Sequence, residues 1–138
     1  MTGLVLDASV ALAWVLPAEA RREEAAALAA RVAEEGAVVP ALWRLEVGNA
    51  LLMAARRGRI RAPHVDAAWL HLAALPITVD TETSAHAWGA TAALARTHGL
   101  TLYDAAYLEL AARRKLPLAT FDAVLERAAG VEGVELVG

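Results

Sequence analysis

The chain has 138 residues, a formal net charge of −3 and a pI near 5.8, so its surface as a whole does not attract polyanions, and nucleic-acid binding would depend on local basic patches or bound cations. It has no cysteine, which excludes disulfides, thiolate metal sites and cysteine nucleophiles. Hydrophobic residues make up 58% of the chain, yet no apolar run approaches the roughly 18 residues that a membrane span needs, and Asp7 falls where a signal peptide would have its apolar core. We therefore expect a single soluble, cytoplasmic domain that covers residues 1–138.

Short segments rich in Val, Leu and Ile alternate with longer helical patterns, which is typical of an α/β fold with helices on both faces of a parallel sheet. In chain order the predicted elements are a strand at Leu4–Leu6, helices at Val10–Leu16 and Ala18–Glu35, a strand at Ala37–Val39, helices at Ala41–Arg57 and Pro63–Ala74, a strand at Ile77–Val79, helices at Thr83–His98 and Tyr103–Arg114, a strand at Leu118–Thr120 and a helix at Asp122–Ala129. A last strand at Val134–Val137 is left open, so the sheet is predicted to have four or five strands.

Aspartates stand at the ends of the predicted strands. Asp7, Asp80 and Asp122 directly follow three of them, and Asp104 opens a predicted helix. In an open parallel sheet, ligands bind at the carboxyl ends of the strands, so these carboxylates are candidates for a binding site. Aspartate is also a favoured helix N-cap, and position alone leaves both interpretations open.

Three sequence blocks carry a more specific signal. The block "LVLDASVALAW" places Asp7 at a strand end, "PALWRLEVGNALLMAARRG" contains Glu46, and "GLTLYDAAYLELAARRKLPLATFD" joins Asp104 to Asp122. In this order the blocks resemble the PIN-domain ribonucleases over almost the whole chain, and most closely the VapC-like toxins of type II toxin–antitoxin pairs.

The resemblance implies a three-layer α/β/α PIN domain with strand order 3-2-1-4-5 and the activity of a Mg²⁺- or Mn²⁺-dependent endoribonuclease. Its implied partners are an RNA substrate, a small cognate antitoxin and a second copy of the chain in a homodimer. By the family pattern, four acids form the catalytic and metal-binding site: Asp7, Glu46, Asp104 and Asp122.

Three polar residues are expected to support these acids. Ser9 would orient Asp7 or a water ligand, and Thr120 would hydrogen-bond the carboxylate of a neighbour. Asn49 lies one helical turn after Glu46 and would hold it in place. Each of the three also has an interpretation as a helix cap or as a satisfied buried side chain.

The implied strand order removes Asp80 from the acidic site. Adjacent strands lie about 4.8 Å apart, so Asp80 on the third strand would be roughly 10 Å from Asp7. That distance is too long for a shared ion, because magnesium binds oxygen at about 2.0 to 2.1 Å. We predict instead that Asp80 caps the helix that contains Thr83 and Trp88.

Electrostatic repulsion explains why such an acidic cluster needs a cation. Two carboxylates at 4 Å repel by about 1 kcal/mol in water and about 4 kcal/mol at the effective dielectric constant near a protein surface. The cluster must therefore take up protons or bind cations, and carboxylate oxygens suit Mg²⁺ or Mn²⁺. Bound ions would activate a water and neutralise charge on the phosphate, which predicts metal-dependent hydrolysis of phosphodiester bonds.

The segment "RRGRIR" places a basic group about 15 Å along the helix from Glu46. Its arginines either contact flanking phosphates of the RNA backbone or only complement a helix C-terminus. They are Arg56, Arg57, Arg59 and Arg61. The tryptophans within apolar helices are expected to pack in the core, although an apolar patch for a dimer or an antitoxin helix is also consistent with the composition.

Two other classes of protein also place acids at the top of a parallel sheet. A receiver-type phosphoacceptor needs a lysine after a late strand, whereas Lys115 precedes its strand, and a haloacid-dehalogenase-type phosphatase needs a second acid where Ser9 stands. The remaining alternative is a non-catalytic domain whose acids serve only as helix caps.

Overall fold

The computed structural model describes residues 3–17 and 21–137, and its strands form one parallel sheet. The strands are β1 (Leu4–Leu6), β2 (Ala37–Val39), β3 (Ile77–Val79) and β4 (Leu118–Ala119). Their order is β3-β2-β1-β4, as predicted. All residues of β1 and β2 are buried, which is expected of strands that are covered on both faces, while β3 at the edge is partly exposed.

The segment predicted as an optional fifth strand extends the sheet by a single bridge. Leu136 pairs in parallel with Leu118 on the outer side of β4. The amide of Leu118 donates to the carbonyl of Glu135 at 2.8 Å, and the amide of Val137 donates to the carbonyl of Leu118 at 3.0 Å. The spatial order 3-2-1-4-5 is therefore present, with its last member reduced to one bridge.

The helices lie where the periodicity predicted them, within a few residues at each end. They are α1 (Ala8–Val15), α2 (Arg22–Glu35), α3 (Trp43–Arg56), α4 (Ala62–Ala73), α5 (Thr83–His86), α6 (Ala92–His98), α7 (Leu102–Arg114) and α8 (Ala123–Glu132). The predicted start of the second helix falls on residues 18–20, which lie outside the described residues. None of the helices in the described ranges is long and apolar enough to cross a membrane.

The predicted continuous helix Thr83–His98 is interrupted. A π-helical turn, Ala87–Thr91, separates α5 from α6, and Gly89 inside it has φ −106° and ψ −105°. Glycine has no Cβ and accepts such a backbone at low cost. The break leaves Trp88 92% exposed, so the prediction that this tryptophan packs in the core is wrong, whereas it is confirmed for buried Trp43.

The connections explain where a crevice opens. The chain steps from β1 to β2 to β3 in one direction and then returns past β2 and β1 to β4. Because such crossovers are right-handed, the reversal places α1–α4 on one face and α5–α7 on the other. The packing agrees with this: α1 contacts α2 and α3, α3 contacts α4, and α7 packs on β1 and β4. The switch point therefore lies between the carboxyl ends of β1 and β4.

Asp80 does not cap a helix by its side chain. It is 1% exposed and accepts hydrogen bonds from both terminal nitrogens of Arg113, at 2.8 and 3.2 Å, and from the hydroxyl of Thr83 at 3.0 Å. Arg114 adds a longer bond at 3.3 Å, and Arg113 also pairs with Glu109. A buried carboxylate needs a charged partner, and α7 supplies one across the fold. The predicted helix cap is therefore wrong: Asp80, the residue after β3, forms an ion pair with Arg113 of α7.

Candidate functional site

The register of the central strands places Asp7 beside Thr120. Leu6 of β1 pairs with Ala119 of β4, and the amide of Asp7 donates to the carbonyl of Ala119 at 3.0 Å. Asp7 and Thr120, the next residues of the two strands, are each 5% exposed. The parallel pairing therefore brings a carboxylate and a hydroxyl together at the switch point.

Two hydroxyl groups hold the same oxygen of Asp7. Ser9 donates to its Oδ2 at 2.6 Å, and Thr120 donates to the same Oδ2 at 2.7 Å. The hydroxyl oxygens in turn accept from backbone amides, Ser9 from Phe121 at 3.0 Å and Thr120 from Asp122 at 3.0 Å. Since the amides occupy acceptor positions on these oxygens, the single proton of each hydroxyl is directed at Asp7.

Asp122 has a structural contact of its own. It is the N-cap of α8, and its Oδ1 accepts from the amide of Val124 at 2.9 Å and from that of Leu125 at 3.3 Å. These bonds satisfy amides that a helix start would otherwise leave without partners. The capping interpretation thus holds for one oxygen of Asp122, and Oδ2 takes part in neither bond.

The other two acids stand in the first turns of two helices. Asp104 lies in the first turn of α7, where its amide donates to the hydroxyl of the N-cap Thr101 at 3.1 Å. Glu46 lies in the first turn of α3 and is half-buried. Its Oε1 accepts a hydrogen bond of 2.5 Å from the hydroxyl of Tyr107 on α7.

Tyr107 is a supporting residue that sequence reasoning missed. It is fully buried, and its only polar group reaches Glu46 across 61 positions of the chain. Its position three residues after Asp104 in "YDAAYLELA" was an available signal, because residues one helical turn apart lie on the same face.

Asn49 does not make the contact predicted for it. It is exposed and lines an apolar groove of about 510 Å³ along α3 and α4. In the described part of the chain it forms no side-chain hydrogen bond with Glu46, which Tyr107 holds instead. Leu45 and Val47, the sequence neighbours of Glu46, also line this groove, whereas Glu46 itself does not.

Asp7 is the most enclosed of the four acids. Burial raises the pKa of Asp7, and the hydrogen bonds from Ser9 and Thr120 oppose that rise by stabilising the ionised form. The negative charge of Asp122 raises the pKa further. The environment thus disfavours a second negative charge next to Asp7 unless a cation is added.

The pKa values of Glu46 and Asp104 are also raised by burial and by neighbouring acids. Burial is the largest cause of the raised pKa of Glu46; the bond from Tyr107 opposes it, and the charges of Asp7 and Asp104 add to it. Burial likewise raises the pKa of Asp104, followed by the charges of Asp7 and Asp122. The four acids, distant in sequence, are therefore electrostatically coupled in the fold.

The chemistry of these donors fits a hard divalent cation, because each offers carboxylate oxygen. Within residues 3–17 and 21–137, however, no three His, Cys, Asp or Glu side chains are arranged to hold a metal ion together. The expected arrangement in which Asp7, Asp104 and Asp122 all bind one ion directly is thus not preformed. An open site with one or two carboxylate contacts suits Mg²⁺, which retains several of its waters.

The basic residues divide between two places. The arginines predicted to contact RNA are exposed at and beyond the C-terminal end of α3, and they are Arg56, Arg57, Arg59 and Arg61. Glu46 lies at the other end of this helix, in its first turn. Arg21 lies next to the segment that contains Asp122. Its guanidinium is 5.1 Å from the centre of the Phe121 ring, beside Asp122, and 3.6 Å from Glu126.

The fold and this site define an α/β domain with coupled carboxylates at the switch point of a parallel sheet. Comparison with known proteins gives the family. The chain belongs to the PIN-domain family, whose model matches residues 4–131. It is 37% identical over 123 residues to Ribonuclease VapC3 of Pyrobaculum aerophilum, a match that covers 86% of this chain and 88% of the relative. The resemblance to VapC-like PIN domains is thereby confirmed.

Solved structures show the same fold. PAE2754 from Pyrobaculum aerophilum superimposes with a TM-score of 0.63 at 25% identity, covering 92% of this chain and 84% of that one. FitAcB from Neisseria gonorrhoeae gives a TM-score of 0.66 at 17% identity, covering 98% of this chain and 96% of that one. The second likeness concerns the fold alone.

Proposed function

We propose that this protein is a Mg²⁺- or Mn²⁺-dependent endoribonuclease, that its 138 residues work as one PIN domain, and that it is the toxin of a toxin–antitoxin pair in the cytoplasm. The observation that carries the proposal is the convergence of the acids: the charges of Asp7 and Asp104 raise the pKa of Glu46, and the charges of Asp7 and Asp122 raise the pKa of Asp104. The relative VapC3 bears the name ribonuclease, which supports RNA as the substrate.

In three of the carboxylates, hydrogen bonds to the rest of the protein involve one of the two oxygens. Oδ2 of Asp7, Oδ1 of Asp122 and Oε1 of Glu46 are tied to the fold, and the second oxygen of each takes part in none of these bonds. Fixed carboxylates with one remaining oxygen are suited to hold water or a cation in a set orientation. When bound, a divalent cation supplies Lewis-acid activation of water and neutralises charge on the phosphate.

The residues of the chain then have distinct tasks. Asp7, oriented by Ser9 and Thr120, would orient a water in line with the scissile phosphorus. Glu46 and Asp104, whose pKa values are raised, would accept a hydrogen bond or a proton from that water. The proposed products carry a 5′-phosphate and a 3′-hydroxyl, as the family resemblance implies.

The alternative of a non-catalytic domain with capping acids has less support. Asp122 does cap α8, but Asp7 stands at the N-cap position of α1 and makes no side-chain capping bond there. A phosphoryl-handling domain of the receiver or phosphatase type accounts for Asp7 but leaves the Tyr107–Glu46 contact without a purpose. The nuclease assigns a task to each of these groups.

Cleavage of RNA by the purified protein tests the proposal. We expect total RNA to be cut in Mg²⁺ or Mn²⁺, to survive in EDTA, and to survive with Asp7→Asn, which preserves the shape of the side chain. Asp66→Asn, a change at an exposed aspartate on α4, should cut like the wild type. Cleavage that persists in EDTA or in the Asp7→Asn protein would contradict the assignment.

For the protein partner we propose a helix of a small antitoxin in the groove between α3 and α4. Trp43, Leu52 and Trp69 line this groove, and the buried indole N–H of Trp43 has no hydrogen-bond partner in the described part of the chain. An apolar helix with one polar acceptor would match both features.

Paired substitutions test this docking. Leu52→Glu should abolish co-purification with the proposed small antitoxin, whereas Leu70→Glu, at a position of α4 that is more exposed and does not line the groove, should not. Equal binding by both variants would place the antitoxin elsewhere.

A further inference from the structure

Large apolar side chains are exposed in the first turn of α7, whereas the central residues of the same helix are buried. Ala105–Ala111 are all buried, yet Leu102 and Tyr103, which directly precede Asp104, are 42% and 65% exposed. No hydrogen bond from the Tyr103 hydroxyl is present among the described residues. A large aromatic ring is thus exposed to water at the start of α7, next in sequence to an acid of the proposed site.

The helical repeat places this ring over the supported acid. Tyr103 and Tyr107 are four residues apart and lie on the same face of α7, and Tyr107 donates to Glu46. Side chains on a helix lean toward its N-terminus, so the Tyr103 ring is expected to project beyond the start of α7, on the same face as the Tyr107–Glu46 contact. The ring therefore lies at the rim of the site, on the side of Asp104 and Glu46.

We propose that Tyr103 is a substrate-positioning residue that stacks on an unpaired base of the RNA beside the scissile phosphate. This inference rests on the proposed ribonuclease function. A nucleotide presents a charged phosphate and an apolar base face a few ångströms apart, and the protein presents carboxylates for cation-mediated phosphate binding next to an exposed aromatic ring. Stacking needs a base outside a duplex, so the ring selects for single-stranded segments.

An RNA base fits this position better than a protein partner does. The exposed ring adjoins Asp104 and the coupled acids, where a docked protein would have to bury carboxylates whose charges already repel one another, at a cost. The apolar groove on α3 and α4 offers a protein helix a separate surface. Binding of a protein at Tyr103 is nevertheless an outcome that the experiment distinguishes.

Binding and cleavage should be measured separately. The binding assay uses fluorescence anisotropy of a short labelled single-stranded oligoribonucleotide in Mg²⁺, with the full chain carrying Asp7→Asn so that the probe is not consumed. Into this background we would introduce Tyr103→Ala, Tyr103→Phe or the control Trp88→Ala, which removes a 92% exposed aromatic side chain from the π-helical turn. The cleavage assay uses the same three substitutions without Asp7→Asn.

Tyr103→Ala should weaken binding of the single strand about tenfold, and Tyr103→Phe and Trp88→Ala by less than about twofold. A duplex of the same sequence should bind all variants equally. In cleavage, Tyr103→Ala should raise KM by a similar factor, with kcat nearly unchanged. Circular dichroism should show wild-type folding, because the ring is exposed.

Unchanged single-strand binding by Tyr103→Ala would overturn the inference, as would equal losses in the alanine and phenylalanine variants or a loss confined to antitoxin binding. If the wild type cleaves RNA and Tyr103→Ala binds normally, the nuclease proposal stands and this one fails. If the wild type does not cleave RNA but Tyr103→Ala still weakens binding of the single strand, the base-stacking role stands and the hydrolytic function fails.

Discussion

Thr120 donates a hydrogen bond of 2.7 Å to Oδ2 of Asp7, although the two residues are 113 positions apart in the chain. The bond exists because β1 and β4 are parallel neighbours in register, and each residue is the first one beyond its strand. It fixes the orientation of the most buried acid of the cluster, and its removal tests how far catalysis depends on that orientation.

Thr120→Val keeps the shape of the side chain and removes the hydroxyl. The change leaves Asp7 with one fewer donor and the amide of Asp122 without its acceptor. We expect kcat/KM for RNA to fall about tenfold, and the free energy of unfolding to fall by about 1 to 2 kcal/mol, as measured by urea titration. Thr120→Ser restores the hydroxyl and should recover most of both losses. A valine variant as active as the wild type would show that this bond is not needed.

Tyr107→Phe removes only the hydroxyl that holds Glu46. Because the ring remains buried, we expect a loss of stability of about 1 kcal/mol, but a fall in Mn²⁺ affinity and in kcat/KM of about 10- to 100-fold. Isothermal titration measures the Mn²⁺ affinity, and cleavage kinetics measure kcat/KM. Combining the change with Glu46→Gln should add little to the loss of either single variant, since both act through one contact. If the loss of kcat/KM in the double variant equals the product of the two single losses, Tyr107 and Glu46 act independently.

Asp104→Asn should raise stability in EDTA while it lowers activity. The pKa of Asp104 is raised by burial and by the charges of Asp7 and Asp122, so the folded protein disfavours its ionised form. Removing that charge should increase the free energy of unfolding by up to about 1 kcal/mol, less a part lost at the helix N-terminus. Added Mn²⁺ should raise the Tm of the wild type and raise it less in the variant. A variant less stable than the wild type in EDTA would contradict the repulsion, and Asp66→Asn is the matched control.

Asp80 should make stability depend on acid pH. Burial alone would raise its pKa, but the bonds from Arg113, Thr83 and Arg114 outweigh it and lower the pKa from 3.8 to about 2. A lowered carboxyl pKa gives stability that is fully present above the unfolded value of 3.8 and is lost as pH falls toward 2. The contribution is about 2 kcal/mol.

Urea titrations between pH 5 and pH 2 measure this dependence. Asp80→Asn should be less stable than the wild type at pH 5, and the difference should shrink as the pH falls, whereas Asp66→Asn should follow the wild type throughout. A constant difference between Asp80→Asn and the wild type would show that the ion pair with Arg113 is not the source.

Much of the fold follows from local patterns. The strands at Leu4–Leu6, Ala37–Val39 and Ile77–Val79 were predicted with their observed bounds, because short runs rich in Val, Leu and Ile between breakers are typical of buried strands. The helix Thr83–His98 was predicted as continuous, because Gly89 within a helical pattern does not by itself indicate a break. The π-helical turn at the break contacts α7, and a contact between segments distant in the chain is not contained in any local window.

The sequence by itself determined the alternation of strands and helices and the identities of the acids at their ends, since hydrophobic periodicity and strand-end carboxylates are properties of short segments. Tertiary structure alone decided that Tyr107 holds Glu46, that Asp80 pairs with Arg113 instead of capping a helix, and that Asn49 faces a groove. These contacts depend on which helix faces lie opposite each other after the chain reverses across the sheet. Their energies are set by burial and by charges from distant segments, and neither quantity exists until the chain is folded.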